Sequence, residues 1–95
     1  MVNIKISDFA GSFAENKDVA QSLRQDKIIP ILEKGENIQL DFQGVDAATQ
    51  SFVHALISDL LRIYGDIVLD KIEFKDCNDT VKKIIEIVVA YMQES

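Results

Sequence analysis

The stretch Leu40-Asp41-Phe42-Gln43-Gly44-Val45-Asp46-Ala47-Ala48-Thr49-Gln50-Ser51-Phe52 reads as the end of a strand, a short loop and the start of a helix. Just before it, residues 37–42 alternate polar and apolar, which points Ile38, Leu40 and Phe42 to one face of a strand. Gln43-Gly44-Val45-Asp46 turns the chain. The spacing then predicts a helix over 49–64, stopped by Gly65. Wound at about 100° per residue, Phe52, Val53, Leu56, Ile57, Leu60, Leu61 and Tyr64 fill a wide apolar arc. Ser51, His54, Ser58 and Arg62 are left as a narrow polar stripe. A helix with so little polar surface calls for cover on two sides.

Outward from this centre the pattern repeats. Residues 2–6 alternate with period two and read as a half-buried strand, whose direction the pattern does not fix; an antiparallel edge position is open to it. Residues 7–16 read as a loop with a short extended piece at Gly11-Ser12-Phe13. Asn16 or Asp18 can cap a helix that runs to about Lys34, where Gly35 stops it. Pro30 lies inside that helix, lacks a donor and crowds the carbonyl of Asp26, so a kink or restart is expected there. Val19, Leu23, Ile28, Ile31 and Leu32 do not share one straight face, which agrees with a break. Downstream, residues 71–75 alternate as a further strand and 76–79 turn. Asn78 or Asp79 caps a final helix to about Gln93, with Val81, Ile84, Ile85, Val88 and Met92 inward.

Strands alternating with helices define an α/β fold. The expected core is a mainly parallel or mixed sheet of roughly three to five short strands, with about three helices and right-handed crossovers. Either helices cover both faces of that sheet or one face meets a partner. The flanks of the last helix (Ile87, Val89 and Tyr91) are more apolar than a solvated helix needs. They are the expected surface of a homodimer or larger assembly, if one forms.

Composition narrows the function. Ninety-five residues make one domain, 1–95. Sixteen acids against ten bases give a net charge of −6 and a pI near 4.6. That balance argues against nucleic acid and against an anionic membrane surface. The N-terminus has no signal-peptide pattern, and the longest apolar runs fall far short of the roughly 20 residues that span a bilayer. A cytoplasmic protein is expected. The lone Cys77 excludes an internal disulfide and a thiolate metal cluster. No glycine-rich phosphate loop is present, so no cofactor is implied. His54 and Cys77 lie on different elements, and Asp41 with Asp46 is too little for a metal site. Ser51 and His54, three apart on one helix, become a catalytic pair only with an orienting acid (Asp41 or Asp46) and an oxyanion hole. The simpler reading is a surface histidine on a polar stripe. Cys77 precedes a helix start, which can activate a thiol, but a small residue at a strand end is the simpler reading. No catalytic set emerges, and the chain is not expected to be an enzyme.

One resemblance spans nearly the whole chain, from about Gly11 to Met92. An apolar-Pro-apolar-Leu helix end, Ile29-Pro30-Ile31-Leu32, precedes the strand end Asp41-Phe42-Gln43-Gly44-Val45, and a Ser51-Phe52 pair opens the next helix. This order resembles the STAS-like family of bacterial domains, related to anti-sigma-factor antagonists. The resemblance implies a small STAS-like fold and a regulatory, protein-binding role. In the antagonists, a serine at the start of this helix is phosphorylated by a partner kinase with the fold of histidine-kinase-type ATPases. By that likeness Ser51 is the phosphoacceptor, and Gly44, Val45, Asp46, Thr49, Gln50, Ser51, His54 and Ser58 are the partner-binding residues. The chain departs from the antagonist motif, Asp-Ser-Ser-Gly, in having Thr49-Gln50-Ser51-Phe52. It also has Val53-His54-Ala55 where STAS-like domains tend to carry an acid. Two other readings stand beside it. One is a small enzyme or ligand-binding domain working at the strand C-termini near Asp41, Asp46, Ser51 and Asp76; the other is a structural subunit.

Overall fold

A computed structural model describes residues 1–94. In chain order the elements are β1 (Val2–Lys5), α1 (Ser7–Ala10), β2 (Phe13–Ala14), α2 (Lys17–Leu23), a π-helical turn (Arg24–Ile28) and α3 (Ile29–Glu33). They continue with β3 (Ile38–Asp41), β4 (Ala47–Ala48), α4 (Gln50–Tyr64), α5 (Ile67–Lys71), β5 (Ile72–Lys75) and α6 (Asp79–Glu94). The strands β1, β3 and β5 form one parallel sheet in the order β1-β3-β5, and β2 pairs with β4, also in parallel.

Period-two alternation decides what each sheet face does. The cross-strand rows Val2–Ile38–Ile72 and Ile4–Leu40–Phe74 point to the core, where Ile4, Ile38, Leu40 and Ile72 are buried. The rows between them are Asn3–Gln39–Glu73 and Lys5–Asp41–Lys75. Asn3, Lys5, Glu73 and Lys75 are exposed, and Gln39 hydrogen-bonds Glu73 across the strands at 3.5 Å. Parallel sheets are usually covered on both faces. Here one face is left polar, so it needs no helix. The first strand is a parallel edge strand, not an antiparallel one. Alternation reports which face a side chain takes and carries no information about direction.

The helices stack on the apolar face, with α4 packed against both α2 and α6. Phe52, Leu56 and Leu60 are fully enclosed. Thr49 caps α4 at its start, and Gly65, at φ 71°, ends it by adopting a left-handed conformation open to glycine. Asn78 caps α6, accepting the Val81 N–H at 2.8 Å.

The break expected at Pro30 is a π turn just before it. The Ile29 N–H bonds the carbonyl of Arg24, five residues back, and Pro30 then sits in the first turn of α3, where its missing donor costs nothing. The extra residue rotates α3 relative to α2, which is why the apolar positions do not share one face. The same turn carries Arg24 inward, to 7% exposure. Its Nη1 donates to the Ala55 carbonyl of α4 at 2.5 Å and lies 3.3 Å from Asp59, which also holds Arg62 at 2.6 Å. A buried guanidinium is tolerable only with such partners.

Some elements differ from expectation. Residues 7–16 hold a one-turn helix, α1, and the two-residue strand β2, and α5 is a further single turn. The three longer helical stretches match the expected number; the added turns are too short to show a period. Phe52→Ala is expected to lower stability by about 3–5 kcal/mol, while Ile63→Ala, on an exposed position, should change it by less than about 0.5 kcal/mol. Urea unfolding of the two variants checks this.

Candidate functional site

The loop from β3 to α4 is built by hydrogen bonds from three directions. Asp41 Oδ1 accepts the Gln43 N–H at 2.9 Å, and the Val45 N–H closes a turn onto the Phe42 carbonyl at 3.0 Å. Gly44 takes φ 85° in that turn, with Ser7 packed where a side chain would project. The Asp46 N–H reaches Ser12 O at 2.8 Å and the Thr49 N–H reaches Ala14 O at 2.9 Å, so β2 holds the loop from one side. Asn78 holds it from the other, donating from Nδ2 to Asp46 O at 2.7 Å while its Oδ1 caps α6.

Thr49 is the cap of α4: its Oγ1 accepts the Phe52 N–H at 3.1 Å. Ser51 is therefore not needed as a cap. It is exposed at the second helical position, and among the described residues its hydroxyl has no hydrogen-bond partner.

The polar stripe of α4 lines a groove of about 540 Å³ against α2. Ser51, His54, Ser58 and Arg62 are all on its wall, joined by Gln50. From α2 come Lys17 and Gln21, which sequence reasoning did not single out. Their spacing of four places them on one face of a helix, but no local pattern says which helix they meet. The stripe is not open to bulk solvent along its length. Ser58 is buried at 3% exposure, and the half-buried His54 ring lies 6.5 Å from the Tyr91 ring of α6.

The remaining partner-binding residues divide. Gly44 and Asp46 are exposed on the loop, and Thr49 is half-buried as the cap. Val45, expected at a partner surface, is 3% exposed and anchors the loop to the core instead. An apolar residue in a tight turn is drawn under it.

Asp41 is buried and engaged with the Gln43 N–H, and Asp59, the acid of the groove, is held by Arg24 and Arg62. Asp41, Asp46 and Asp76 do not line the groove that holds Ser51. Among the described residues no group of three or more His, Cys, Asp or Glu side chains could hold a metal ion. Cys77 is half-buried, and burial pushes its thiol up, with Asp76 adding to the rise and Lys82 opposing it. A raised thiol holds less thiolate at a given pH, the opposite of activation. Among the described residues no helix is long and apolar enough to cross a membrane.

A strand-loop-helix unit with a free serine on the first turn, set in a three-stranded parallel sheet, fits the STAS-like class. The family described as a STAS-like domain of unknown function matches residues 19–82, and the chain belongs to it. No curated protein and no solved structure matches the chain.

Two measurements follow from the site. Thr49→Ala is expected to cost about 1 kcal/mol and Ser51→Ala less than about 0.5 kcal/mol in urea unfolding, because only Thr49 caps. Alkylation of Cys77 near neutral pH is expected to be slower in the native protein than in the urea-unfolded chain, followed by mass spectrometry at matched pH.

Proposed function

We propose that this chain is a non-enzymatic regulatory module that docks a protein partner through the loop Gly44–Asp46 and the first turns of α4, and that Ser51 is its phosphoacceptor. The partner is a histidine-kinase-type ATPase, the class that acts on the related antagonists. One observation carries the reading. Ser51 is exposed at the second position of a 15-residue helix whose cap is Thr49, and among the described residues its hydroxyl has no hydrogen-bond partner.

That position suits a switch. A phosphate there faces the positive end of the helix dipole and the unbonded first-turn N–H groups. It adds about −1.5 to −2 charge beside the docking loop. The loop is held by β2 and Asn78, so the charge alters a contact surface without unfolding it.

Isolation of the tagged protein from its own host, with mass spectrometry of partners and modifications, tests the reading. The expected result is an ATPase of this class among the partners and phosphate on Ser51. Ser51→Asp should weaken the partner about tenfold or more relative to Ser51→Ala. Equal affinity of the two variants for every captured partner would overturn the switch.

A further inference from the structure

The geometry points to a small-molecule site in the groove between α2 and α4, whose ligand is a phosphomonoester with a polar, hydroxyl-bearing body. This goes beyond the regulatory reading and needs no modification of Ser51.

Ser58 gives the first sign. It is 3% exposed, yet among the described residues its hydroxyl has no hydrogen-bond partner. Among the described residues, no fully sealed side-chain nitrogen or oxygen lacks a partner. The Ser58 hydroxyl therefore keeps a trace of exposure, and Ser58 lines the groove. A buried hydroxyl left without a protein partner is costly unless water or a ligand meets it.

The charge of the groove gives the second. The chain as a whole carries −6, but among the described residues the groove holds one acid, Asp59, already neutralised by Arg24 and Arg62. At the other end Lys17, in no ion pair among the described residues, lines the groove together with Gln50 and Ser51 of the first turn of α4. The N–H groups of Gln50 and Ser51 lack helical acceptors by position, and the helix dipole adds positive potential. Lys17 and these two N–H groups match the three terminal oxygens of a phosphomonoester better than the two of a carboxylate. Between the two ends the wall offers Gln21, His54 and Ser58. These can hydrogen-bond hydroxyl groups. Among the described residues of the wall the one ring is His54, already set against Tyr91, which leaves no open platform there on which a flat ring would stack.

The test is a titration of the unmodified, isotope-labelled protein with glycerol 3-phosphate, followed by amide NMR. Glycerate and glycerol serve as the carboxylate and the uncharged body. Glycerol 3-phosphate should give saturable shifts at residues of α2 and the first two turns of α4. Lys17→Gln and Ser58→Ala should each weaken it about fivefold, and Lys34→Gln, outside the groove, should leave it unchanged. The same spectra report whether each variant is folded. Absence of saturable shifts, or unchanged affinity in both folded groove variants, overturns the site. Equal affinity for glycerate overturns the phosphate assignment.

Discussion

Burying α4 is the constraint on which the rest of the molecule depends. Its apolar arc is too wide for one neighbour: α2 and α6 pack against it, and its buried side chains join the core cluster that includes Ile4, Ile38 and Leu40 of the sheet. What remains is a narrow polar strip, exposed at Ser51 and Arg62 and buried at Ser58 between them. Closing α2 over it requires Arg24 to enter the interior, and the π turn makes that possible. The guanidinium finds the Ala55 carbonyl and Asp59 waiting on α4. The groove is thus a by-product of how tightly the central helix is wrapped.

Much of this was legible in the chain. The three main strands are visible because each alternates, and α4 and α6 because their caps and their period agree. Thr49, Gly65 and Asn78 act at the ends where their chemistry suits them. Other features were hidden for physical reasons. β2 and β4 have two residues each, below any period, and exist only because they pair with one another. Pro30 announces a break but not its form, since a π turn and a kink answer the same missing donor. Val45 looks like loop and is core, because its burial depends on the turn around it. Ser58 looks like surface and is buried, because α2 lies over it. Lys17 and Gln21 join the site from a segment more than 25 residues upstream of Ser51, and only the packing of two helices brings them there.

The loop and helix start form a fixed platform. Asn78 is central to it, since one amide both caps α6 and ties down the carbonyl of Asp46. The last helix and the loop Gly44–Asp46 are thereby mechanically joined. Any displacement of the loop works against the cap of α6 as well, so the two elements respond as a unit.

The polar outer face has a counterpart at the margins of the sheet. Both outer strands, β1 and β5, leave one side of their backbone unpaired within the sheet. Such margins invite foreign strands and so the growth of fibrils. Each is only four residues long and ends in a lysine, Lys5 or Lys75, on the exposed face. A strand added there would find little length to grip and a fixed charge to bury. Both margins are thereby poor templates for a foreign strand.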